Sequence, residues 1–273
     1  MDVLHLQNAF LRLAVAPQGA SVLSFESLTH GKAVFHPAKP ALFPMLPLAN
    51  RVAGNAFQLH GERILLPDSP ADEHFFLHGD GWLKRWDVEH HDEDRLTLSL
   101  CRQHACGFHY LANLSYRLAG NRLLAQLELT HTGDKPMIYG LGLHPYFALE
   151  PGSRVQFSAS GFWPEGERHL PLAWEGTFTP QTDFSRAKTP ENKWLNVGYS
   201  GWSGLALIEH SDMRVCLRSP TPYLMVFRMA DQPFICLEPQ THPVNAHNQA
   251  GMPGLVMLES GQSTNLAMEV EVS

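Results

Sequence analysis

Apolar and polar residues alternate with a period of two along nearly the whole chain, and no other feature restricts the fold as much. Val3-Leu4-His5-Leu6-Gln7 and Phe10-Leu11-Arg12-Leu13-Ala14-Val15 flank Asn8-Ala9 and read as a hairpin. Trp86-Asp87-Val88-Glu89-His90 and Arg95-Leu96-Thr97-Leu98-Ser99-Leu100 flank an acidic turn, and longer alternating runs cover 110–118 and 122–130. Further strands are expected at 21–25, 56–59, 63–66, 155–158, 205–208, 214–217, 223–227, 234–237 and 264–272. A strand with this period buries one face, so many short strands must be stacked as sheets. No stretch of about a dozen residues keeps a helical apolar face. The chain therefore reads as all-β, a large antiparallel β-sandwich, with 1–273 forming a single domain. The stretch 170–196 is the least patterned and reads as a long loop, a common place for function.

Composition agrees with this and narrows the function. Hydrophobic residues are 44 % of 273, enough for a large core, and charged residues only 17 %. A net charge of −7 with only 20 basic residues, none in a run, argues against a nucleic-acid partner. Apolar runs fall short of the ~18 residues that a membrane span needs, and the N-terminal stretch does not read as a signal peptide. The 4 cysteines form no CxxC pair, so neither a disulfide framework nor a zinc site is expected. A cytoplasmic protein is the expectation, a monomer or homodimer without a membrane partner. HExxH, GxSxG, the P-loop and GxGxxG next to a helix are all missing from the sequence. His104-Ala105-Cys106-Gly107-Phe108-His109 is the nearest thing to a ligand cluster, but alternation puts its candidates on no common face. No metal and no cofactor are expected. Most of the 16 histidines read as structural.

Four segments interrupt the alternation by setting polar side chains among Gly, Pro and apolar residues. They are 43–51, Phe76-Leu77-His78-Gly79-Asp80-Gly81-Trp82, Gly140-Leu141-Gly142-Leu143-His144-Pro145-Tyr146-Phe147, and Ile235-Cys236-Leu237-Glu238-Pro239-Gln240-Thr241. Glu238 ends an apolar run, where a carboxylate is costly unless paired or functional. His144 has the same setting. Arg51, His78, His144 and Glu238 together make an acid–base set suited to a polar ligand. Singly, each has a structural reading: a salt bridge, a turn, a carbonyl partner or a structural ion pair.

In this order and spacing, the four segments resemble the aldose 1-epimerase (galactose mutarotase-like) family over about residues 3–272. Asn50-Arg51-Val52-Ala53-Gly54-Asn55-Ala56-Phe57 looks like the family's Asn-Arg element with its following hairpin. Leu77-His78-Gly79 looks like its Leu-His-Gly element. His144-Pro145-Tyr146-Phe147 matches its second histidine, and Glu238-Pro239-Gln240-Thr241, with Asn245 and Asn248 close behind, its glutamate. The resemblance implies the β-sandwich already suggested by the alternation. One position departs: Asn196, in Leu195-Asn196-Val197-Gly198-Tyr199-Ser200-Gly201-Trp202, stands where many members carry an aspartate that contacts sugar hydroxyls. An amide both donates and accepts hydrogen bonds but brings no charge.

The resemblance implies a mutarotase that interconverts the anomers of a small-molecule sugar. Glu238 is expected as base and His144 as acid, with His78 and Arg51 binding the sugar near its ring oxygen and hydroxyls, and Asn196, Trp82 and Trp202 as further contacts. Activity should trace a bell in pH, with Glu238 on the lower limb and His144 on the upper. A neutral aldose is expected, with Lys84 and Arg85 as the main objection. The alternatives are a non-catalytic sugar-binding or sugar-sensing domain, a sugar-phosphate epimerase of the same fold, and a glycoside hydrolase. The last usually needs two carboxylates, and Asp80 is the only spare acid in the marked segments.

Overall fold

The computed structural model describes residues 2–37 and 40–273. Almost every alternating run is a strand, and the described residues contain no α-helix, only short 3-10 turns. An antiparallel sheet of eight strands runs in the order 154–157, 205–209, 214–218, 263–272, 122–131, 109–119, 95–103, 87–91. Its long central strands carry the cleanest alternation: His109–Ala119 and Arg122–His131 bury every second side chain. Leu114, Leu127 and Leu266 thereby line up across three neighbouring strands. Each such fully buried aliphatic contributes about 1.5–3 kcal/mol relative to exposure.

The second large sheet has seven strands, ordered 161–163, 195–200, 223–228, 234–240, 142–143, 44–45, with 146–148 also paired to 234–240. Its strand Phe234–Gln240 is buried on both faces, so alternation disappears and Phe234–Leu237 reads as an unbroken apolar run before Glu238. A four-stranded sheet (4–7, 11–16, 21–27, 32–33), a hairpin (56–59 with 62–65) and a two-stranded antiparallel pair (137–139 with 256–258) complete the described residues. One continuous apolar core joins the sheets, from Leu6 and Phe25 through Leu114 and Val270 to Val197, Leu224 and Ile235. The expected strands are all present, with ends shifted by a residue or a few. The short strands at 44–45, 142–143 and 146–148 were not expected, and all three lie in the marked segments. No described helix is long and apolar enough to cross a membrane.

Candidate functional site

Backbone pairing in the seven-stranded sheet assembles the site. Gly142 pairs with Gln240 on one side and Met45 on the other. Thr241 fastens this junction: its N–H donates to Leu141 O (2.8 Å), and its Oγ1 accepts from Leu141 N–H (3.0 Å). His144 N–H then donates to Phe43 O at 2.9 Å. Residues nearly two hundred positions apart thus converge on one patch: Phe43, His144 and Glu238.

The Leu-His-Gly element joins them through a left-handed turn. His78 has φ +58° and Gly79 φ +66°. A Cβ on Gly79 would lie 2.0 Å from Leu46 O, so only glycine fits. The turn lets His78 Nδ1 accept the Asn50 N–H (3.1 Å), while His78 N–H donates to Asn50 O (3.0 Å). With Nδ1 accepting, the ring proton sits on Nε2, which makes His78 a donor. Burial, then the neighbouring His144 and Arg51, hold its pKa well below the ordinary value, so it donates as a neutral ring.

These groups line a cavity of about 280 Å³ with Phe43, Asn50, Arg51, Leu77, Trp82, Tyr146, His169, Trp194, Asn196 and Phe227. At its floor His144 Nε2 meets Glu238 Oε1 at 3.2 Å, with exposures of only 6 % and 1 %. The His144 ring is sandwiched between Phe43 (centroids 4.5 Å apart) and Tyr146 (4.8 Å). Gln240 Nε2 donates to the other carboxylate oxygen at 3.2 Å. Burial pushes the Glu238 carboxyl up to about 8 against the pull of Gln240 and Arg51, and pushes the His144 imidazole down to about 3. Burial thus favours the uncharged form of both groups in the free site. That reverses the pH limbs expected from sequence. Desolvation penalises whichever form is charged, so the carboxyl titrates last and the imidazole first.

Arg51 is largely buried, with Nε 3.6 Å from Asp72 and one guanidinium nitrogen donating to Asn50 Oδ1 at 3.3 Å. Its loop is held from behind: Asn245 N–H donates to Arg51 O (2.9 Å), Asn245 Oδ1 accepts from Ala53 N–H (2.9 Å), and Asn248 Nδ2 donates to Ala56 O (3.0 Å). The asparagines behind the glutamate motif are thus structural partners of the Asn-Arg loop. Trp82 lines the cavity while stacked on Phe43.

Trp202 does not reach the cavity. It is buried in the main core, and its Nε1 donates to Leu205 O, because the turn at 200–204 directs it inward. Asp80 is also spent elsewhere, on Arg102 (2.6 Å) and His104 (3.3 Å). Lys84 lies 3.8 Å from Asp80, and Arg85 pairs with Asp2, so neither basic residue lines the cleft. They follow a 3-10 turn, Gly81–Leu83, and do not lie on a regular strand. The cluster at 104–109 serves the same network, while His131 bonds Tyr139 and His242 accepts the Ala49 N–H.

Trp194, His169 and Phe227 line the cavity and went unrecognised in the sequence, as did Glu165, which hydrogen-bonds Asn196. Trp194 stands two residues before Asn196, which was signal enough to find it. Glu165 and His169 come from an irregular loop with no pattern to mark them. Among the described residues, His144, Cys236 and Glu238 are a trio whose ligand-type atoms lie within 4.8 Å of one another. Burial, and then the Glu238 charge, raise the Cys236 thiol well above its ordinary value, which opposes the thiolate that a soft metal takes. Larger depressions on the eight-stranded sheet (about 550 Å³) and beside the 56–65 hairpin (about 900 Å³) carry no such buried acid–base pair.

Similarity to known proteins agrees with this geometry. An Escherichia coli K12 protein named YphB, itself uncharacterised, is 32 % identical over 290 residues, covering 100 % of this chain and 99 % of its own. A provisionally designated aldose 1-epimerase from Escherichia coli K12 superposes with a TM-score of 0.94 at 31 % identity, covering 100 % and 99 % of the two chains. A galactose mutarotase-like protein from Lactobacillus casei ATCC 334 shares the fold at TM-score 0.81 and 17 % identity, with 100 % of both chains covered. The galactose 1-epimerase of Lactobacillus acidophilus NCFM does so at 0.81 and 18 %, covering 98 % and 93 %. The family model described as aldose 1-epimerase matches residues 2–271, and the chain belongs to that family.

Proposed function

We propose that this protein is a mutarotase that interconverts the α and β anomers of a neutral aldose by acid–base ring opening and closure. The observation that carries the reading is the buried His144–Glu238 pair, 3.2 Å apart, on the floor of a cavity that also holds Arg51 and His78. Opening moves the C1 hydroxyl proton to a base. The C1–O5 bond breaks with its electrons going to O5, and O5 takes a proton from an acid. Rotation about C1–C2 turns the other carbonyl face towards O5, and closure returns both protons with the roles exchanged.

Glu238 is the base and His144 the acid. The proton resting on Glu238 in the free site crosses to His144 when sugar hydroxyls donate to the carboxylate, a form that Arg51 also favours. Both arrangements contain one proton, so the balance holds. His78 Nε2–H and the Arg51 guanidinium bind oxygens of the sugar, and Trp82 and Asn196 complete the walls. The absence of Lys84 and Arg85 from the cavity lining favours an unphosphorylated substrate. Four free cysteines suit a reducing compartment, and we place the protein in the cytoplasm as a single-domain enzyme.

The test is polarimetry on freshly dissolved α-glucose and α-galactose, with the spontaneous rate subtracted. Catalysed mutarotation is expected. Saturable binding without catalysis would favour the sugar-sensing alternative instead.

A further inference from the structure

The far wall of the cavity is organised around a carboxylate outside the acid–base pair. Glu165 follows the strand Gly161–Trp163. Its Oε1 accepts from Asn196 Nδ2 at 2.6 Å and from His169 Nδ1, and its Oε2 accepts from Trp194 Nε1 at 2.7 Å. The loop that brings His169 to Glu165 is tightly built. Gly166 N–H donates to Leu170 O at 2.7 Å, Glu165 pairs with Pro171, and Arg168 and His169 both take left-handed conformations at φ +53° and +62°. Such backbone at non-glycine residues persists only where its surroundings enforce it. Burial acts to raise the Glu165 pKa, but the hydrogen bonds from Asn196, His169 and Trp194 outweigh it and keep the group below its ordinary value.

An ionised carboxylate only accepts hydrogen bonds, so the Asn196 amide must turn its NH₂ towards Glu165. Its Oδ1 has no hydrogen-bond partner among the described residues, and Asn196 lines the cavity. Trp194 is held beside it by the same carboxylate, with the residue 43 % exposed. The charge missing from position 196 is therefore present one hydrogen bond behind it. An aspartate at 196 would set two carboxylates against each other.

We infer that Glu165 is a positioning residue that fixes the Asn196 amide with its Oδ1 free to accept, and so selects a neutral sugar bearing a hydroxyl that donates to Asn196 while Trp194 packs alongside. This rests on the proposed mutarotase reading. The Glu165 charge behind the wall also disfavours a phosphorylated or acidic sugar at this end of the cleft.

The experiment measures kcat and KM for wild type, Glu165→Gln and Asn196→Asp on glucose and galactose and on their 2-, 3-, 4- and 6-deoxy forms. Glu165→Gln should raise KM about tenfold, the size of one lost hydrogen bond, with kcat within about threefold of wild type. The penalty that wild type shows for one of the deoxy sugars should shrink towards unity in this variant, which a merely structural role would not produce. Asn196→Asp should also raise KM, and a lower KM would overturn the inference. Unchanged KM and unchanged deoxy penalties in Glu165→Gln would overturn it while leaving the mutarotase reading intact. A wild type that turns over no aldose would overturn that reading and the inference with it.

Discussion

The floor and the far wall of the cleft are built differently. The floor is strand backbone: Glu238 lies within Phe234–Gln240, and His144 sits between two short strands registered against it, both nearly sealed from solvent. The wall is loop. Glu165, His169 and Trp194 come from irregular chain, and side-chain hydrogen bonds, not a sheet ladder, hold them together. Burial on the floor raises the Glu238 pKa and lowers that of His144, whereas the wall keeps its carboxylate ionised by giving it donors. The difference teaches that, on the proposed reading, proton transfer falls to the buried strand backbone and recognition to side chains held by hydrogen bonds. Floor substitutions should then act on kcat and wall substitutions on KM.

The largest test of that division is on the floor. Glu238→Gln and His144→Asn should each lower kcat at least about 100-fold, the low end of a general acid–base contribution. The double variant should lose much less than the product, because the two groups act as one unit. Stopped-flow polarimetry reads this, and near-normal kcat in a folded single variant would break the comparison. The pH profile sharpens it. Activity needs one proton on the pair, wherever it rests. It should therefore fall above an apparent pKa near 8, as Glu238 loses that proton, and below one near 3, as His144 gains a second. Glu165→Gln should leave both limbs in place.

Stability gives a third measurement. The folded pKa of Glu238, about 8, lies above its ordinary 4.5. Its contribution is thus fully present below about pH 4.5 and is lost as pH rises through 8. Glu238→Gln has no such loss, so its stability relative to wild type should rise with pH across that window. Urea unfolding at pH 5 and pH 8 checks the direction. The smallest effect should be at Lys84→Ala and Arg85→Ala. Both pair with acidic groups away from the cavity, so KM for neutral sugars should stay within about twofold, the range of surface ion pairs.

The strand pattern and the floor were legible because each is written locally. Alternation announces a half-buried strand, and a glutamate ending an apolar run announces a carboxylate that needs a reason. The turn offered as the structural reading of His78 is present, and at Gly79, with φ +66°, a Cβ would meet Leu46 O, so only glycine fits. Trp202 was misread because an aromatic beside a marked residue carries no sign of which way its turn faces. The order of proton release was also invisible: it depends on how completely each group is desolvated, a property of everything packed around it.

What the sequence determined by itself was the all-β class, the segments that line the cleft and the family they resemble, because period and motif are properties of neighbours in the chain. Only the tertiary structure decided that burial raises the Glu238 pKa, that Asp80 is spent on Arg102, and that Glu165 stands behind Asn196. Glu165 and Asn196 are 31 positions apart, and irregular chain carries no register from which to read such a contact. Burial and hydrogen bonding between distant residues depend on distance in space, and folding sets that distance.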